Sequence, residues 1–149
     1  MNEGAVIGLV FLGFIIAFPL LWGFISFLIS HLSGWQKLAR YYAIGTTDFA
    51  SPQISWQSLL MGRIVLFTAS YTSVVNIGVD KTNLYLSCVW LFRIGHTPLR
   101  IPFEEIEITD TNFLFLSVKR LVTKQCPNIK IYMRPGLVRK IEKFAVAAT

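Results

Sequence analysis

Apolar residues follow three rhythms along this chain. From Ala5 to Ile29 they are continuous: the twenty-five residues AVIGLVFLGFIIAFPLLWGFISFLI hold no Asp, Glu, Lys, Arg or His, and seventeen are Val, Ile, Leu or Phe. As a helix this run measures about 37 Å at 1.5 Å per residue, enough to cross a hydrocarbon core of about 30 Å with some tilt. From Trp35 to Tyr42 the rhythm is helical, with Trp35, Leu38, Ala39 and Tyr42 on one face and Gln36, Lys37 and Arg40 on the other. From Arg63 onward, short β-branched and aromatic segments alternate between turns.

The third region predicts strands over Arg63–Ala69, Ser73–Val79, Leu84–Phe92, Leu99–Ile101, Ile106–Thr109, Phe113–Val118 and Asn128–Met133. Leu84, Leu86, Cys88, Trp90 and Phe92 share one face of the third. Asp80-Lys81-Thr82-Asn83 and Gly95-His96-Thr97-Pro98 supply turn chemistry. Pro135 suits the first turn of a C-terminal helix, whose stripe Leu137, Ile141, Phe144 and Ala145 lies opposite Arg139, Lys140 and Lys143. The expected fold is a membrane-anchored α+β chain: one N-terminal transmembrane helix, a small antiparallel sheet or barrel, and a C-terminal helix that covers its open edge or mouth. Residues 1–30 form the anchor, 31–62 a juxtamembrane amphipathic helix and linker, and 63–149 the β domain with its helix. Ser33 is placed to cap the short helix, with Gly34 loosening the exit from the membrane. Ala43–Gln53, with Gly45, Thr46, Thr47, Asp48, Ser51 and Pro52, reads as the linker.

The segment before the apolar run, Met1-Asn2-Glu3-Gly4, has no basic residue, and Ser30-His31-Leu32-Ser33 is a poor cleavage site. Both features favour an anchor over a cleaved signal. Pro19 is expected to kink the span, and Gly4 with Gly8, or Gly13 with Ala17, would let another helix approach. Lys37 and Arg40 follow the span at once, which directs the N-terminus outside and the C-terminal part to the cytoplasm.

Charge adds a second theme. The chain carries a formal +6, and residues 31–149 carry +7. Lys119, Arg120, Lys124, Lys130, Arg134, Arg139, Lys140 and Lys143 are opposed between them only by Glu142, whereas Arg100–Val118 nets −3. The cluster would either draw a tethered domain to anionic lipid of the cytoplasmic leaflet or simply solvate strands and helix. The Trp35–Tyr42 helix has two readings as well. It is an interfacial helix, with Trp35, Tyr41 and Tyr42 at headgroup level and Lys37 and Arg40 on phosphate, or an amphipathic helix packed on the domain.

Candidate chemistry is sparse. Glu104, Glu105, Glu107 and Asp110 are the densest carboxylates, and Glu105 and Glu107 would share a strand face, but no nucleophile elbow or phosphate loop accompanies them. His31, Cys88, His96 and Cys126 lack metal-ligand spacing, so neither cofactor nor metal is expected. Cys88 and Cys126 read as free thiols. His96 reads as a turn residue whose ring bonds a backbone carbonyl. The cations are not interleaved with aromatic platforms, which argues against nucleic acid.

The strand-then-helix order resembles pleckstrin-homology-like domains, including the GRAM type. The run FRIGHTPLRIPFEEI, Phe92–Ile106, with Arg93, Gly95, His96, Pro98, Pro102 and Glu105, resembles a motif of uncharacterised bacterial single-span membrane proteins. The resemblance implies an inner-membrane location and no particular activity. The expected function is a non-enzymatic adaptor presenting a pleckstrin-homology-like domain at the cytoplasmic face to a membrane protein or anionic lipid. The alternatives are an accessory single-span subunit of a larger complex and a membrane-bound hydrolase around His96 and Glu105.

Overall fold

In the computed structural model, which describes residues 2–45, 48–49 and 54–148, a single helix α1 runs from Glu3 to Ser33. Asn2 caps it, its side-chain oxygen accepting from the Ala5 N–H at 3.0 Å. α1 is continuous through Pro19. It is long and apolar enough to cross a membrane, and none of its most apolar window is buried by the rest of the chain.

Gly34, at φ +92°, ends α1 and opens α2 (Trp35–Tyr42). Glycine holds that left-handed conformation without strain, and a side chain there would meet Ile129 Cδ1 at 2.6 Å. Ser33, Gly34 and Trp35 are all buried. The residue expected to loosen the exit therefore forms a packed corner.

Among the described residues seven strands follow, β1 (Ile54–Gly62), β2 (Thr68–Val79), β3 (Asn83–Cys88), β4 (Leu99–Pro102), β5 (Ile106–Phe113), β6 (Leu116–Thr123) and β7 (Lys130–Met133), and then α3 (Pro135–Ala147). They form one antiparallel sheet in the order β4-β3-β2-β1-β7-β6-β5. Its edges are β4 and β5, joined only by the short turn Phe103–Glu105. Laid flat, seven strands would hold the edges about 29 Å apart at 4.8 Å per step. The linking residues reach about 14 Å at most. The sheet is consequently curled.

α3 lies across an opening of the curl, its Val138, Ile141 and Ala145 lining an apolar cavity with Leu84, Phe103, Ile106 and Leu121. α2 closes another: Trp35, Leu38 and Tyr42 are buried in the core with Leu99, Ile129 and Ile131, and Ala43 bridges to Leu99. The C-terminal helix and the antiparallel sheet thus agree with the sequence.

Several positions need correction. β1 falls within the region read as helix and linker, because its alternation is broken by irregularities between Ile54 and Gln57 and between Gln57 and Leu59, with Trp56 at φ +56°. Arg63–Phe67, expected as strand, is the β1–β2 connection. Thr46, Thr47, Ala50, Ser51, Pro52 and Gln53 of the expected linker lie outside the described residues. The strand predicted over Leu84–Phe92 stops at Cys88, and Trp90 is 76% exposed. The strand predicted over Phe113–Val118 is broken by a hairpin turn at Leu114-Phe115, between Phe113 at the end of β5 and Leu116–Val118 at the start of β6, with Leu114 at φ +55° and Phe115 fully exposed. Its turn contains no Gly, Pro or Asn to mark it.

Candidate functional site

The distinctive construction is the junction between α1 and the domain. Trp22, Ser26, Ser30 and Ser33 are spaced four, four and three apart and so form one stripe of α1. An indole N–H and three hydroxyls in an otherwise apolar helix need partners, since an unpaired polar group away from water costs about 1–3 kcal/mol. The β domain provides them for Trp22, Ser26 and Ser33, and α1 itself with α2 for Ser30. Trp22 Nε1 donates to Leu91 O at 2.9 Å, and Ser26 Oγ donates to Ile94 O at 3.0 Å. Ser30 Oγ donates to Phe27 O at 2.8 Å and accepts from Gln36 Nε2 at 2.9 Å. Ser33 Oγ lies 2.7 Å from Tyr71 OH.

The receiving surface is the β3–β4 connection, residues 89–98, which includes the first half of the Phe92–Ile106 motif. Phe92 packs on Trp22 with ring centroids 5.0 Å apart. Gly95, at φ +78°, brings the turn against α1 so closely that a Cβ would lie 2.5 Å from Ser30 Oγ and 3.1 Å from Phe27 Cα. His96 is buried: Nδ1 lies 3.2 Å from Ile94 O, and Nε2 3.0 Å from Tyr71 OH. With Nδ1–H donating to the carbonyl, Nε2 accepts from the Tyr71 phenol, so the neutral ring fits this network. Burial lowers the His96 pKa below the ordinary imidazole value, against the pull of the Ile94 and Phe92 carbonyls. Burial raises Tyr71, against the Ser33 bond. Trp35 stacks edge-on to His96 and donates its indole N–H to Thr97 O at 2.8 Å.

His96 therefore does bond a backbone carbonyl, as its turn position suggested, but its second bond ties the motif to β2 and, through Tyr71, to α1. Serine, phenol and imidazole in series resemble a nucleophile relay only on paper. All three are buried. Glu105 is engaged separately, accepting from Tyr42 OH at 2.6 Å; burial, then that bond, raises the Tyr42 pKa. Glu105 sits in the turn before β5 and Glu107 is exposed on it, so they do not form a strand-face pair.

Set against protein-family models, curated proteins and solved structures, the chain matches none.

The remaining expected residues separate into groups. Pro98 is buried and Pro102 half-buried at the two ends of β4, and Arg93 is exposed. Trp35 and Tyr42 are core residues, which corrects their headgroup-level reading; α2 packs on the domain because its apolar face closes the curled sheet. Tyr41 and Arg40 are exposed and Lys37 is half-buried.

The basic cluster is divided. Lys130 stands beside Gly62 in the sheet, next to the β1–β2 connection, and Lys124 N–H donates to Glu105 O. Lys119 pairs with Asp110 at 2.7 Å, and Arg120 is half-buried on β6. Arg139, Lys140 and Lys143 are exposed on α3, and Arg134 just before it. Arg134 and Lys140 line a cavity of about 430 Å³ with Trp56 and Ser58, and Lys140 and Lys143 lie by Ile54. α3 thus sits at the start of β1, whereas α1 meets Phe67, Thr68 and Ala69 just past its end.

Sequence reading missed Trp22, Ser26, Ser30 and Tyr71, and gave Ser33 only a capping role. The signal was present: hydroxyls recurring every three or four residues in a span mark a face that is not lipid-exposed.

Proposed function

We propose that the chain is a non-enzymatic, single-span inner-membrane protein whose pleckstrin-homology-like domain is held in a set orientation at the cytoplasmic surface, to dock a protein partner. The observation that carries this reading is the hydrogen-bonded stripe Trp22, Ser26, Ser30 and Ser33, which joins the apolar helix to the domain as one body. A cleaved leader would take that stripe away and strip the Leu91 and Ile94 carbonyls of their donors. The stripe therefore favours a retained anchor.

With β1 running away from the bilayer, this joint would set the α3 cations apart from it. Along β1, from Ile54 beside Lys140 and Lys143 to Gly62 beside the α1 end, the chain rises about 26 Å at 3.3 Å per residue. That is about three screening lengths at physiological salt, too far for anionic lipid to hold them. An acidic partner surface suits Arg134, Arg139, Lys140 and Lys143 better.

The test uses the full chain in native membranes. It should resist alkaline carbonate, and a photo-cross-linker at Arg139 should give one discrete adduct that disappears when Arg134, Lys140 and Lys143 are changed together to Glu. Release by carbonate refutes the anchor. Absence of any adduct from α3 positions refutes the docking role.

A further inference from the structure

Two loops flanking α1 are apolar at their tips and unusually bare. The β1–β2 connection reads Arg63-Ile64-Val65-Leu66-Phe67, with Leu66 89% exposed. The β3–β4 connection places Trp90, Leu91 and Ile94 in the open around Arg93. Bare apolar side chains also crown the β5–β6 tip, at Leu114, Phe115 and Leu116, but these two loops are the ones that lie against the apolar helix. Both loops touch α1: Phe67 meets Ile29 and Leu32, while Trp90, Leu91 and Ile94 form with Phe18, Pro19 and Trp22 a mostly apolar groove of about 470 Å³.

We propose that these loops insert into the same leaflet through which α1 leaves the membrane, with lipid acyl chains occupying the groove. The inference rests on reading α1 as a span. Its level along α1 sets the depth. A core of about 30 Å takes twenty residues, so a span starting at Ala5 reaches the hydrocarbon edge at Phe24 even in its shallowest placement. Trp22 and Phe18 then lie about 3 and 9 Å inside that edge. The β3–β4 tip, hydrogen-bonded to Trp22 and facing Phe18, shares their level. Ile29, beside Phe67, lies about 7 Å outside the edge, within the headgroup region. The β1–β2 loop is thus the shallower of the two.

Charge agrees with this placement. Exposed Arg63 and Arg93 flank or interrupt the apolar tips, where guanidinium groups reach lipid phosphate while their stems stay in the apolar boundary. The occupant is lipid rather than a protein groove-binder because the groove is continuous with the uncovered surface of α1 that lipid must cover in any case.

The experiment is cysteine labelling of the full chain in nanodiscs, where both membrane faces are open to a charged maleimide. Leu12→Cys marks the span, Trp90→Cys and Leu66→Cys the loops, and Phe115→Cys, on the exposed β5–β6 tip, the aqueous control. The unsubstituted chain gives the background of Cys88 and Cys126. A thiol among acyl chains resists ionisation, and each unit of raised pKa removes tenfold of its thiolate. Trp90→Cys should therefore label about tenfold or more slowly than Phe115→Cys, with Leu66→Cys between them and Leu12→Cys unlabelled. If both loop positions label as fast as Phe115→Cys while Leu12→Cys stays protected, insertion is overturned and the span stands. If Leu12→Cys labels freely, both readings fall. Protection of Phe115→Cys to the same degree as Trp90→Cys would overturn the depth assignment.

Discussion

Gly95→Ala tests whether α1 is seated on the domain as described. Gly95 has φ +78°, and an added Cβ would stand 2.5 Å from Ser30 Oγ, 3.1 Å from Phe27 Cα and 3.3 Å from Ser30 Cβ. Left-handed backbone costs a non-glycine residue about 1–2 kcal/mol. The contact adds about 1–3 kcal/mol of overpacking. Little of it is relieved, because Phe27 Cα belongs to the helix backbone and Ser30 Oγ is already held by Phe27 O and Gln36 Nε2. The total is about 2–5 kcal/mol. At about 3–4 °C per kcal/mol for a chain of this size, Tm should fall by about 6–20 °C. Thermal unfolding of the full chain in nanodiscs, followed by intrinsic fluorescence, reads the shift. Gly136→Ala is the control: it has no neighbour within 4 Å and no positive φ, so its Tm should not fall and should rise by at most about 4 °C, the helix preference for Ala over Gly. Ser30→Ala in the Gly95→Ala background removes the shortest contact but neither the backbone strain nor the Phe27 contact, and should restore only about 1 kcal/mol. A Gly95→Ala loss below about 0.5 kcal/mol would refute the junction. Full rescue by Ser30→Ala would refute the left-handed turn.

Three other outcomes follow from the buried groups. His96 is held neutral, so the unfolded chain takes up its proton first: stability should be level above about pH 7 and decline as pH falls through the ordinary imidazole value of about 6.5; a His96→Asn chain that shows the same decline in urea titrations would exclude His96 as its source. Asp80 is pushed up by burial but pulled down further by bonds from Tyr85, Thr82 and Asn83, to about 2; its contribution should hold above about pH 4 and fade toward pH 2, and Asp80→Ala should cost about 1–2 kcal/mol in denaturant unfolding. Cys88 is fully buried with its thiol pushed up to about 12 by burial, so in the folded chain at pH 8 it should react with a disulfide reagent at least about a hundredfold more slowly than in denaturant; equal rates would contradict its burial.

Several features were legible because local composition forces them. Twenty-five uncharged residues in sequence make a helix apolar on every side, whatever follows. Pro135 ahead of Leu137 and Ile141 makes the start and inner face of α3 readable from residues a few places apart. Alternating segments between turns disclose an antiparallel sheet. The tertiary structure decided the rest, for reasons particular to each element. β1 was hidden because its irregular pairing with β2 breaks the period of two that marks a strand. Trp90 and Phe115 read as strand because apolar residues at an exposed tip are identical in composition to those of a core strand. Whether α2 lay on lipid or on the domain was undecidable from its stripe, since both environments reward the same apolar face; the open curl that receives Trp35, Leu38 and Tyr42 exists only once the strands have paired. The sequence by itself determined that there is an oily rod and a β-rich body. Only folding brought Ser26, Ser30 and Ser33 to carbonyls and a phenol far along the chain, because hydrogen bonds between distant segments leave no local trace.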